Sequence, residues 1–132
     1  MCVLLVEDEF LIREIMSECL QDAGYDVVDV ENGDRAVELI KHPPRKFSIL
    51  ITDFHMPGDA DGSKVAAQLR LAIPGIPVVI ASGRPEALQA AWQTELGYKL
   101  LRKPYLPSEL VKLVETLVGH PSAKSSEQGR IT

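Results

Sequence analysis

The sequence predicts an α/β fold built on a parallel sheet, and three observations carry that prediction. Short apolar runs alternate with longer amphipathic stretches, the runs are apolar throughout rather than at every second residue, and charged residues stand where several of them stop. Val3-Leu4-Leu5-Val6 halts at Glu7 and Asp8, Ile49-Leu50-Ile51-Thr52 at Asp53, and Leu100-Leu101-Arg102 at Lys103. In a parallel sheet the carboxyl ends of the strands share one edge, where ligands bind, so these charges are expected to meet.

Val3 to Val6 is the first strand, too short for a helix and apolar on both faces. Leu11/Ile12, Ile15/Met16, Cys19/Leu20 and Ala23 then recur at helical spacing, and Gly24 stands where a left-handed C-terminal cap is wanted. Val27 to Val30 is the second strand. Gly33-Asp34 opens a helix carrying Ala36, Val37, Leu39 and Ile40, which His42-Pro43-Pro44 breaks. The third strand, Ser48 to Asp53, leads into a loop rich in Gly, Asp and Pro. From Ser63 the stripe Val65/Ala66, Leu69, Ala72/Ile73 marks a third helix, ended by Pro74-Gly75. Ile76 to Ala81 is a fourth strand, Pro85 to Leu96 a fourth helix, Tyr98 to Arg102 a fifth strand and Pro107 to Val118 a fifth helix, with proline near its start. Five βα repeats imply right-handed crossovers and helices on both faces of the sheet.

The 132 residues suffice for one domain, expected over 2–118, followed by a polar, aperiodic stretch at 119–132 that reads as a disordered tail. Hydrophobic residues at 45% and charged residues at 25% are those of a soluble globular protein. A net charge of -5, with no clustered Lys/Arg face, argues against nucleic-acid binding. No apolar run is long enough to cross a bilayer and Met-Cys-Val lacks the basic start of a signal peptide, so neither membrane insertion nor export is expected and the cytoplasm is the expected location. Cys2 and Cys19 lack metal-ligand spacing and read as buried, reduced thiols. Trp92, with Leu88 and Leu96 beside it on the fourth helical stripe, reads as core.

Glu7, Asp8 and Asp53 together would either raise a carboxyl pKa or recruit a cation, and an all-oxygen set with no Cys or His favours Mg2+ over zinc. Lys103 adds a compact positive charge opposite them and Ser82 a hydroxyl that can donate to an anion, so the set suits a phosphoryl group. Asp53, at the end of a central strand and before a flexible loop, is the residue expected to receive it as an acyl phosphate.

Glu7-Asp8-Glu9, Asp53-Phe54-His55-Met56-Pro57 with Asp61-Gly62, Ala81-Ser82-Gly83 and Lys103-Pro104-Tyr105, in that order at successive strand ends, resemble the receiver domain of bacterial two-component response regulators over residues 2–118. The resemblance implies a flavodoxin-like five-stranded parallel sheet of order 2-1-3-4-5 flanked by five helices, an order that receiver domains themselves exemplify. It implies that Asp53 is phosphorylated by a histidine kinase or phosphotransfer protein. Asp8, Asp53 and the backbone carbonyl of His55 would bind Mg2+ directly, with Glu7 helping through water, while Lys103 and Ser82 contact the phosphoryl group. It further implies a cis Lys103-Pro104 peptide, a role in signalling rather than as an enzyme, and a downstream partner read through the fourth helix, fifth strand and fifth helix. With no output domain expected after Val118, a single-domain regulator is the expectation.

Three departures stand out. Leu100 occupies the position, three before the lysine, where receivers usually carry Tyr or Phe; the loop from Met56 to Gly62 is one residue longer than usual; and His55 and Arg84 occupy places that influence dephosphorylation. Two alternatives remain: a Mg2+-dependent phosphohydrolase with an aspartyl-phosphate intermediate, which His55 disfavours because such enzymes carry a second Asp there, and a receiver-like binding module that works without phosphate, which Leu100 suggests.

Overall fold

The period of two along a strand divides the interior into two layers. In the computed structural model, which describes residues 1–54, 61–83 and 97–121, five strands form one parallel sheet in the order β2-β1-β3-β4-β5. They are β1 (Cys2–Val6), β2 (Asp26–Val30), β3 (Phe47–Asp53), β4 (Val78–Ser82) and β5 (Lys99–Arg102). Four helices lie among the described residues: α1 (Phe10–Asp22), α2 (Gly33–Lys41), α3 (Gly62–Ala72) and α4 (Pro107–Val118). The helix expected over 85–96, with Trp92 and the neighbouring Arg84, lies outside the described residues, as do His55 and most of the expected tail.

Cys2, Leu4 and Val6 of β1 join Leu50, Val78 and Ile80 in a layer with Ala36 of α2 and Val65, Ala66 and Leu69 of α3. Val3 and Leu5 face the other way, joining Ile49, Ile51 and Val79 with Met16 and Leu20 of α1 and Leu110 and Val114 of α4. Leu4 and Leu50 are both fully buried, and truncating either to alanine is worth about 2–5 kcal/mol. Because β1 and β3 are covered on both faces, β1 is apolar throughout and β3 is apolar without a break at Ile49, Leu50 and Ile51. β2 is an edge strand and correspondingly tolerates Asp26 and Asp29.

The structure moves several expected boundaries. β4 begins at Val78 rather than Ile76 because Pro77 has no N–H to give the ladder; its carbonyl instead accepts Leu50 N–H at 3.0 Å. The strand then runs one residue further, so that Ser82 is a strand residue paired in register with Arg102. β5 starts at Lys99, one residue after the expected Tyr98. On α1 the apolar stripe is wider than the surface the sheet can cover: Met16 and Leu20 are buried, while Leu11 and Ile15 remain exposed. Cys2 is buried as expected and burial pushes its thiol pKa up, but Cys19 is only half-buried. The Lys103–Pro104 peptide is cis. Leu100 packs, half-buried, against the layer under α2 and α3.

Helix starts are held by specific groups. Asn32 Oδ1 accepts Arg35 N–H at 2.8 Å ahead of α2, and Asp61 Oδ1 accepts both Lys64 N–H at 3.0 Å and the Ser63 hydroxyl at 2.7 Å ahead of α3. At α4, Glu109 Oε1 accepts Leu106 N–H at 3.0 Å. Gly62 opens α3 and its N–H donates to the Phe54 carbonyl at 3.0 Å, bringing the chain back against the end of β3. A Cβ at Gly62 would collide with the Asp53 carbonyl oxygen and crowd Phe54 Cα. Gly62→Ala should therefore destabilise the fold by about 1–3 kcal/mol through overpacking. A urea midpoint unchanged from wild type would show that the backbone there gives way freely.

Candidate functional site

The sheet registers bring the expected residues to one edge. Val6 pairs with Thr52 and with Val30, Asp53 with Ala81, and Ser82 with Arg102, so Glu7-Asp8, Asp53, Ser82 and Lys103 all emerge at adjoining strand ends. Backbone bonds extend the ladders past the side chains of interest: Glu7 N–H donates to Val30 O at 3.1 Å, Phe54 N–H to Ala81 O at 3.0 Å and Lys103 N–H to Ser82 O at 2.9 Å. Asp53 and Ser82 thus end their strands, Glu7 and Lys103 stand one residue beyond theirs and are still tied to the neighbouring strand by these bonds, and Asp8 follows in the turn after β1.

Lys103 Nζ lies 2.5 Å from Asp53 Oδ1 and 3.5 Å from Glu7 Oε1. Glu7 and Asp53 are 2% and 3% exposed, whereas Asp8 is open to solvent. One oxygen from each of Glu7, Asp8 and Asp53 lies within 4.8 Å of the others. Glu7 Oε2 is further held by the Glu9 N–H at 3.1 Å. The second Asp53 oxygen, Oδ2, is buried and has no hydrogen-bond partner among the described residues. Such an orphaned acceptor costs free energy unless a proton or a cation meets it.

The electrostatics follow from this crowding. Burial, reinforced by the Glu7 carboxylate and only partly offset by Lys103, pushes the Asp53 carboxyl from an ordinary 3.8 up to about 8. Burial works against the Lys103 ammonium, but the Asp53 and Glu7 carboxylates outweigh it and raise its pKa. Tyr105 is likewise raised, by burial first and then by the negative charges of Glu7 and Asp53. Three carboxylates facing one ammonium leave a formal excess of two negative charges, the charge that one divalent cation would balance.

Glu7, Asp8, Asp53, Ser82 and Lys103 are therefore brought together, Ser82 being buried at its strand end. His55, expected to offer a backbone carbonyl, lies outside the described residues. Sequence reasoning passed over Arg13, whose Nη1 donates to the Glu7 carbonyl at 2.9 Å. Its one signal is a cation near the start of α1, where the helix dipole disfavours positive charge.

The sequence matches the family model described as the response regulator receiver domain over residues 3–115. It is 31% identical over 117 residues to the response regulator receiver protein CpdR of Brucella abortus, covering 88% of this chain and 95% of CpdR. It is 28% identical over 118 residues to the uncharacterized transcriptional regulatory protein YbdJ of Bacillus subtilis, covering 89% of this chain; the chain spans only about half, 51%, of that relative's length. Among solved structures, the response regulator TrrA of Thermotoga maritima in complex with Mg2+ and BeF superposes with a TM-score of 0.74 at 26% identity, covering 88% of this chain and 97% of the other.

A carboxyl that holds its proton up to about 8 when folded, but releases it near 3.8 when unfolded, binds more protons in the folded state over that interval. Its contribution to stability is full at the acid end and is lost as pH rises towards the folded value. In chelator, the urea midpoint of wild type relative to Asp53→Asn should therefore fall between about pH 5 and pH 8. A difference that stays flat over that range would place the Asp53 pKa near its ordinary value.

Proposed function

This chain belongs to the response regulator receiver domain family, and on that premise we propose that Asp53 is the phosphoacceptor of a two-component signalling pathway. The carrying observation is the state of its carboxylate: one oxygen is held by Lys103 at 2.5 Å, while the other is buried without a partner in a cluster of acids. Rigid strand ends orient the group, and phosphoryl transfer asks for little beyond positioning and charge neutralisation.

The donor we propose is the phosphohistidine of a histidine kinase or phosphotransfer protein. An Asp53 oxygen attacks phosphorus, forming the O–P bond as the N–P bond to the donor imidazole breaks, and the imidazole nitrogen leaves with that electron pair. Lys103 steadies the phosphoryl oxygens as a fixed cation, and the Ser82 hydroxyl turns to donate to one of them.

The donor set fits Mg2+, a hard cation bound through oxygen: Asp8, Asp53 and the His55 carbonyl would hold it directly and Glu7 through water. Bound there, the ion supplies charge neutralisation for the incoming phosphoryl group. The Mg2+ and BeF bound to TrrA support this assignment.

A kinase-fed phosphoacceptor works in the cytoplasm as a signalling module rather than as an enzyme with turnover of its own, and that is the role we propose. Its downstream partner would read β5 and α4 together with residues 85–96.

Incubation with acetyl phosphate and Mg2+ should add one phosphoryl group to wild type by intact mass, and labelling should fall by at least about a hundredfold in chelator, the scale of losing charge neutralisation, and in Asp53→Asn, which lacks the nucleophilic oxygen. Equal labelling of Asp53→Asn would place the acceptor elsewhere.

A further inference from the structure

We infer that Arg13 is a positioning residue for the cation site, acting through the backbone to aim the exposed Asp8 carboxylate; the inference rests on the Mg2+ reading of the acidic cluster. The other two acids are held by their side chains, Glu7 by Glu9 N–H and Lys103, Asp53 by Lys103. Asp8 is exposed, and its direction depends on the turn that carries it.

That turn leaves the sheet at Glu7. The Glu7 N–H still bonds to Val30 on β2, but the Glu7 carbonyl turns away and meets the Arg13 guanidinium at 2.9 Å. A trans peptide is planar, so fixing this carbonyl fixes the Glu7–Asp8 peptide as far as the Asp8 Cα, and the Glu9 N–H bond to Glu7 Oε2 restrains the peptide that follows. The guanidinium is itself anchored. Its Nε lies 3.6 Å from Asp29 Oδ2 on β2, its carbon sits 5.5 Å from the centre of the Phe10 ring, and its side chain is only 14% exposed.

One planar fork therefore spans the turn after β1 and the neighbouring edge strand, using different nitrogens for each. A lysine has a single ammonium and reaches one of these partners well at a time. Without either side chain, the Glu7 carbonyl bonds to water and the peptide plane can rotate, leaving the Asp8 carboxylate to be ordered at the expense of cation affinity. Among the described residues Arg13 bonds to the Glu7 carbonyl and pairs with Asp29 and Phe10 rather than with Asp53, Lys103 or Ser82, so its loss should weaken cation binding without slowing transfer in the loaded protein.

Calorimetric titration of the full chain with Mg2+ tests this, using wild type, Arg13→Ala, Arg13→Lys and Asp29→Asn. Arg13→Ala should raise the Mg2+ Kd by about tenfold, the lower end of what a lost orienting partner costs a metal site. Arg13→Lys should recover part of the loss, and Asp29→Asn should lose less than Arg13→Ala. Acetyl phosphate labelling at saturating Mg2+ should stay within about twofold of wild type for all of them, separating cation affinity from transfer. A purely structural arginine would lower the urea midpoint and leave the Kd unchanged, and that result would overturn the proposal. If Arg13→Ala does not fold, wild-type affinity in both Arg13→Lys and Asp29→Asn would overturn it equally. A wild type that binds no Mg2+ would instead remove the cation site itself.

Discussion

The structure depends on a surplus of negative charge at one edge of the sheet. Glu7 and Asp53 are almost wholly buried, Asp8 joins them from the solvent side, and Lys103 is the ammonium paired with both buried acids. In a medium less polar than water such a surplus is held only by shifting a proton or admitting a cation. The raised Asp53 pKa expresses the first response, and on the proposed function the orphaned Oδ2 would take part in the second. A site that is uncomfortable when empty is one whose ligands bind with a gain in both stability and order.

The rest of the molecule keeps that surplus in place. Two apolar layers clamp β1 and β3 from both sides, so the residues at their ends have little freedom to relax apart. The return of the chain at Gly62 presses against the backbone of Asp53 itself, and the Lys103 N–H bond to Ser82 O ties the lysine's strand end to that of the hydroxyl. Rigid strands supply position for the groups at their ends, the usual arrangement in such sheets.

Much of this was legible in the sequence because the governing signals are local. A strand covered on both faces is an unbroken apolar run, and a charge at its end has only one edge to face, so Glu7, Asp8, Asp53 and Lys103 could be assigned to a common site before any contact was seen. Pro77 hid the start of β4, since an apolar run continues through a residue that has no N–H to donate to the ladder. Leu11 and Ile15 extended the stripe of α1 beyond the face that is buried, because spacing reports a helix and not the width of its partner. Arg13 was invisible for a different reason: its acceptor is a backbone carbonyl, and a carbonyl leaves no trace in residue identity. Gly62 was legible as a motif residue, but the collision that excludes a side chain appears only in three dimensions. Leu100 shows the limit of resemblance, for it fills the place of an aromatic with a half-buried aliphatic packed into the core.

The most direct measurement is a crystal structure of the full chain with Mg2+ and beryllofluoride. Beryllium bonded to an Asp53 oxygen, fluorines against Lys103 Nζ and Ser82 Oγ, and a metal among Glu7, Asp8 and Asp53 is the expected result. Beryllofluoride absent from Asp53, with Lys103 still paired to it and no metal among the three acids, would contradict a phosphoacceptor site.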